Sequence, residues 1–279
     1  MQKKKNYFMV FTACFVVFVC ISYALCQKGD DGLLGMFHKE IKQENLLPQD
    51  TNISKDFVEL KDVEPIGKIE MVQGKGYIFH SERDIAYVAR KNLPIYQEDQ
   101  LVTLKKSRIS AKLIGNCELT VSPYSKINLN KVIYDEQTKN IDTLLHFLKG
   151  KSRFIAEKLT NKEKDKFRIK TPTATIGIRG SDFAVMVVPE AEIRKSIDHN
   201  FVSWFFTADE AYAQSTSMGT ILLTGQNTHL AFKGVQGPVQ LVGPFSLTYA
   251  VEGKQAATPI RFSKNAVESA LESAGPRLS

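Results

Sequence analysis

Lys170–Val188, KTPTATIGIRGSDFAVMVV, holds two strand-like runs that disagree about which side is apolar. Ala174, Ile176 and Ile178 occupy even positions, whereas Phe183, Val185 and Val187 occupy odd ones. Side chains alternate across a strand with a period of two, so the change of phase means that a residue has gone into a turn or a bulge. Arg179, Gly180, Ser181 and Asp182 are the residues that absorb it.

Working outward, the pattern is beta on both sides. In SAKLIGNCELTVS the odd positions Ala111, Leu113, Gly115, Cys117, Leu119 and Val121 are small or apolar and the even ones mainly polar, so Cys117 faces inward on a half-buried strand. SKINLNKVIY, KSRFIAEKL, GTILLTG, THLAFKG, PVQLVG and FSLTYAVEG follow as short strands punctuated by Gly and Pro. That rhythm predicts an all-β sandwich, barrel or solenoid. Ile141, Leu144, Leu145 and Leu148 sit at helical spacing before Gly150, and periodicity alone leaves that segment undecided between helix and strand. Residues 189–217 break the rhythm as an insertion, with the apolar patch Phe201, Trp204, Phe205 and Phe206. Ala266, Val267, Ala270 and Leu271 predict a short C-terminal helix in 263–279.

Residues 1–26 combine Lys3, Lys4 and Lys5 with an apolar run from Tyr7 to Cys26 that carries no charge, the pattern of an export signal or of a membrane anchor. A polar linker, 27–66, comes next; its segment GLLGMFHKEIK has the makings of a weak helix. The β region is expected over 67–188, with further strands continuing it over 218–262. Three of the four cysteines lie in the first 26 residues, which leaves Cys117 without a disulfide partner in the exported part. Its thiol reads as a small buried hydrophobe, since no His or basic cluster adjoins it in sequence. The formal charge of +7 falls to +4 once Lys3, Lys4 and Lys5 are removed, and the excess is scattered; nucleic acid is therefore not an expected partner.

The familiar catalytic signatures are missing from the sequence: no phosphate loop, no HExxH or CxxC metal motif and no GxSxG elbow. The five histidines are far apart in sequence, so no metal and no cofactor is expected. The reading is that of a non-enzyme.

TPTATIGIRGSDFAV resembles the FecR-domain family: Thr171, Pro172, Ala174, Arg179, Gly180, Ser181 and Phe183 match its Thr-Pro, alternating strand, Arg-Gly-Ser and aromatic strand. Upstream, PIYQEDQLVTLKKSRI resembles the approach to the family's Gly-Asp-x-x-x-Thr segment, with Asp99 and Thr103 in place and Glu98 where Gly is usual. CELTVSPYSKINL is similar to the segment after it, with Pro123 and Ser125 in place, and Gly115-Asn116-Cys117 stands where Asp-Gly-Ser is usual. FLKGKSRF resembles the family's strand-Gly-strand step, which favours strand for the undecided segment. The resemblance covers 67–188 and implies a β-solenoid in which Arg179–Asp182 is a corner between walls, Gly180 supplies backbone freedom, and Arg179 pairs with Asp182 or with open carbonyls.

The best-understood members are envelope-spanning sensors that hold a sigma factor through a cytoplasmic arm. Only Met1–Asn6 precede the apolar run here, too few for such an arm, so the expectation is the outward-facing module alone. The resulting reading is a binding module of the periplasm or cell envelope with a role in sensing or regulation. Its partner is an envelope protein or a cell-wall polymer, met at open strand edges or at the 201–206 patch. The alternatives are a protein that binds or hydrolyses polysaccharide or peptidoglycan, and a structural envelope component.

Overall fold

The computed structural model describes residues 46–48, 51–80, 83–156, 166–178, 181–193 and 217–275. The signal or anchor, the weak helix of the linker, Arg179, Gly180 and the 201–206 patch lie outside the described residues, as does the side chain of Ser181.

The described chain is mostly strand, as its rhythm predicts. In order the strands are β1 (Asn52–Ser54), β2 (Gly67–Gln73), β3 (Gly76–His80), β4 (Ile85–Val88), β5 (Pro94–Ile95), β6 (Asp99–Thr103), β7 (Arg108–Leu113), β8 (Cys117–Val121) and β9 (Lys126–Tyr134). They continue as β10 (Ile141–Ala156), β11 (Lys166–Lys170), β12 (Ala174–Ile178), β13 (Ser181–Pro189), β14 (Met218–Thr224), β15 (Leu230–Gly234), β16 (Gln240–Val242), β17 (Ser246–Val251) and β18 (Ile260–Arg261). One helix, α1 (Lys264–Ala274), follows at the place the sequence predicts.

The strands form two sheets. The first runs β1-β4-β3-β6-β9-β10-β11-β12-β15-β16. The second runs β5-β2-β7-β8-β10-β13-β14-β17-β18. Strand β10 belongs to both: Ile141–Lys149 pair with β9, and Gly150–Ala156 pair with β13. Gly150, at φ 92°, is the bend between the halves, a backbone conformation that glycine adopts without steric cost. From β6 onward the chain visits the two sheets alternately, by single strands or hairpins, and so advances along both. Parallel pairing, the register of stacked solenoid coils, occurs between β1 and β4 and between β10 and β11, and as the single bridge Gln236–Gln255; the other described strand pairs are antiparallel.

This alternation explains the change of phase. Ala174, Ile176 and Ile178 enter the core from the first sheet, and Phe183, Val185 and Val187 enter the same core from the second. A strand that crosses to the facing sheet must turn its opposite side inward, so the parity of its buried residues inverts. The even residues of β13 are buried too: Ala184, Met186 and Val188 pack with Ile221, Leu223 and Val267, Ala270, Leu271 and Ala274 of α1 in a second core. The helix covers the outer side of the second sheet, and a strand buried on both faces reads as a continuous apolar run.

The segment at helical spacing is the first half of β10, where Leu145 and Phe147 are buried in alternation. Between β7 and β8 the turn uses Gly115 at φ 76° and Asn116 at φ 56°, both on the positive side that these residue types tolerate.

Candidate functional site

The Asp182 corner is held from three directions. Arg153, on the second half of β10, donates from Nε to Asp182 Oδ1 and from Nη2 to Oδ2, each at 2.8 Å. The Asp182 carbonyl accepts from the Gly225 N–H at 2.8 Å and from the Thr228 hydroxyl at 3.1 Å. Arg179, expected to pair with Asp182 or with open carbonyls, lies outside the described residues; among the described residues Arg153, 29 residues away in sequence, pairs with Asp182. Arg153 also donates from Nη1 to the Gly275 carbonyl at the end of α1. Arg108 donates to Ser273 O at 3.0 Å and Ser122 to Ala274 O at 2.5 Å. The last turn of α1 has no basic residue of its own, so the sheet supplies the cations that its exposed carbonyls and dipole favour.

Thr171 and Thr173 frame the other end of β12. Their hydroxyls both meet the hydroxyl of Thr220 across the two sheets, at 2.6 Å and 2.7 Å, while the Thr171 N–H and hydroxyl both bond the Ala174 carbonyl. Pro172 lies between them in this turn. Phe183 stacks on Phe154 at 5.3 Å, and Phe154 meets Phe147 edge-on. These contacts make the Thr-Pro and aromatic positions parts of the frame that joins the sheets.

Asp99 and Thr103 are buried. The Asp99 carboxylate takes the His80 ring at Nδ1 and the Tyr96 N–H at 2.7 Å. Thr103 donates to Ser122 O at 2.5 Å and accepts from the Ser125 N–H at 3.0 Å. Glu98, where Gly is usual, sits at φ 62°, which supplies the reason for that preference: the turn asks for a left-handed residue. His80, ringed by Phe57, Tyr87 and Tyr96, is a contact that motif reading missed.

Cys117 is buried, and burial, with Glu118 adding to it, pushes its thiol up to about 12. The inward direction read from the alternation is the one it takes. Among the described residues no three His, Cys, Asp or Glu side chains gather as a metal site, and no helix is long and apolar enough to cross a membrane.

The excursion between β13 and β14 is closed at its base. Glu190 N–H donates to Ser217 O at 3.0 Å, Ser217 hydroxyl to Glu190 Oε2 at 2.8 Å, and Lys254 Nζ lies 3.0 Å from Glu190 Oε1. The first sheet ends at β16, which the described residues pair on one side only, with β15. Edge strands are ordinarily protected by charge or Pro. The other sheet ends follow that rule: β1 is followed by Lys55 and Asp56, β5 contains Pro94, and β18 contains Arg261. Around β16, from Gly234 to Val251, there is no charged residue, and Pro238 and Pro244 stand on either side of the strand. Leu241 is 81% exposed on this edge, with Val235 and Val239 exposed beside it.

The FecR protein family model matches residues 99–197, beginning at the buried Asp99. No curated protein matches the chain. Two crystal structures of a protein from Parabacteroides distasonis ATCC 8503, proposed to be an anti-sigma factor, are similar at 10% and 11% identity with TM-scores of 0.39 and 0.38. In both comparisons 60% of this chain and 61% of the other are covered, so the chain spans about three fifths of their length.

Proposed function

Residues 99–197 form a FecR-family domain, and from that premise we propose that the chain is a non-enzymatic sensing or regulatory module of the cell envelope that docks a partner protein at the β16 edge. The observation that carries this is the uncharged edge: an exposed leucine on a strand paired on one side, in an 18-residue run without charge between Lys233 and Glu252. Such an edge offers unpaired backbone groups to an added strand, while Leu241 and its neighbours give side-chain contact. Export to the periplasm, by cleaved signal or by anchor, is part of the reading and rests on residues 1–26. In this proposal the two walls advance in the manner of a solenoid whose final edge is left open for the partner. Phe201, Trp204, Phe205 and Phe206 are the second proposed contact, carried by the excursion that springs from Glu190 and Ser217.

The test is site-specific photocrosslinking in the intact envelope with the reactive group at position 241, at Phe205, and at exposed Ile133 as the reference. One discrete protein adduct from position 241, lost when Val239 is changed to Lys, is the expected result. Equal labelling from positions 241 and 133 sinks the edge-docking reading. An adduct from Phe205 alone moves the docking to the excursion.

A further inference from the structure

The first sheet turns a polar face to solvent, and its registers place six side chains from six neighbouring strands in one row. Gln100 is opposite Asn128, Asn128 opposite His146, His146 opposite Lys170, Lys170 opposite Thr175, and Thr175 opposite Lys233. Directly opposed residues share a face, and strands lie about 4.8 Å apart, so the row is about 24 Å long. Their intervening neighbours Leu101, Ile127, Phe147, Ile169 and Ile176 point into the core, which fixes this row on the outside. Lys126 and Lys149 are opposed in the next row of the same face, and Arg168 flanks it on the other side.

Two features of this row ask for a ligand. Among the described residues Gln100 Oε1, Asn128 Oδ1 and His146 Nε2, in three consecutive positions, are all shielded from solvent and meet no hydrogen-bond partner. Shielded polar atoms are normally satisfied, and a run of three adjacent exceptions is a site seeking donors. Around them the described charge is cationic: Lys170 and Lys233 lie in the row and Lys126 and Lys149 beside it, while among the described residues the carboxylates near it include Glu98, which Asn130 engages at 3.1 Å, and Asp142, which Lys131 holds at 2.5 Å.

We propose that this outer face binds a carboxylate-bearing polysaccharide laid across the strands from β6 to β15. Sugar hydroxyls supply the O–H donors that the amide oxygens and the imidazole require, and the carboxylates neutralise the lysines. The strand spacing is close to the length of one sugar unit in an extended chain, so successive units meet successive side chains. Nucleic acid fits less well because the row has no aromatic ring on which a base stacks. A bilayer surface fits less well because the row has no apolar side chain to insert. Desolvation and then Lys170 hold the His146 pKa below its ordinary value, against the opposing pull of Glu98, so the ring keeps an acceptor nitrogen at neutral pH.

The experiment titrates the purified full-length chain with polygalacturonate, which carries hydroxyls and carboxylates, with dextran, which lacks the charge, and with polyglutamate, which lacks the hydroxyls. Polygalacturonate is expected to bind at least about tenfold more tightly than either control. Asn128→Ala with His146→Ala, and separately Lys170→Gln with Lys233→Gln, are expected to weaken it about tenfold at unchanged melting temperature. Lys233→Glu, at an exposed position, keeps the test decisive where the inner pair disturbs folding. Equal binding of polyglutamate shows charge attraction alone and overturns the proposal, as does polygalacturonate binding that survives every one of these changes, or no binding at all. Only purified chain and polymer are used, so failure here leaves the protein-docking reading standing.

Discussion

Arg153 and Asp182 are diagonal neighbours on the paired strands β10 and β13 and close a two-pronged ion pair, both bonds 2.8 Å, with side chains only 5% and 12% exposed. The same guanidinium reaches the end of α1. One side chain therefore ties the crossover between sheets to the helix that covers the second sheet.

Removing one partner of that pair strands a buried charge. Arg153→Met and Asp182→Asn are each expected to cost roughly 3–5 kcal/mol, read from urea unfolding. The paired change Arg153→Met with Asp182→Leu is expected to recover a good part of the loss, because neither charge remains. A single change that leaves the unfolding midpoint in place shows that the pair does not hold the corner.

Gly150 lets β10 pass from one sheet to the other. Its φ of 92° disfavours any side chain, and a Cβ there falls 2.6 Å from the Ser125 Cα. Gly150→Ala is expected to cost roughly 2–4 kcal/mol from backbone strain and overpacking together. Thermal unfolding reads the loss, and a stability equal to that of the parent chain contradicts this account of the bend.

Cys117 gives a pH dependence with a definite sign. Its folded pKa of about 12 lies above the ordinary thiol value, because burial penalises the thiolate. The associated stability is complete below the unfolded pKa and is lost as pH rises from there through the folded value. Cys117 in the folded chain is expected to resist a thiol reagent at pH 8, read by peptide mapping that separates it from Cys14, Cys20 and Cys26, and to react promptly in denaturant, and Cys117→Ala is expected to flatten the decline in stability above about pH 9. Rapid labelling of Cys117 in the folded chain counts against the buried thiol.

Leu241 separates docking from folding. Its side chain is exposed, so Leu241→Lys is expected to alter stability by less than about 0.5 kcal/mol while placing a protective charge on the edge. Partner capture through a crosslinker placed at Val239 is expected to fall with that change. Unaltered capture removes β16 as the docking strand.

Local patterns in the sequence already contain much of this architecture. The β rhythm, the helix at the end, the inward direction of Cys117 and a turn or bulge after Ile178 all follow from alternation or spacing, because each is set by residues close in the chain, while the change of wall there comes only from the family resemblance. Leu144, Leu145 and Leu148 mislead in the same local terms: helical spacing arises by accident in a strand whose inward residues are Leu145 and Phe147. β13 was legible on one face only, since its other buried face depends on α1 some 80 residues later.

The candidate contacts were legible to a smaller degree. Motif reading marks Asp182 but not Arg153, and Asp99 but not His80, because each pair is closed by strand register rather than by sequence distance. The insertion is marked by composition, while the uncharged β16 edge emerges only once strand order shows which strands lack a second neighbour among the described residues.

Sequence by itself determined the strand-rich class, the places where the chain reverses and the family motif, since these depend on side-chain periodicity and on backbone preferences of single residues. Tertiary structure alone decided which sheet each strand joins, which carboxylate meets Arg153, and that Gln100, Asn128, His146 and Lys170 form one row. Those are relations across hydrogen-bonded strands, and register, which no local pattern encodes, is what brings residues far apart in the chain onto one face.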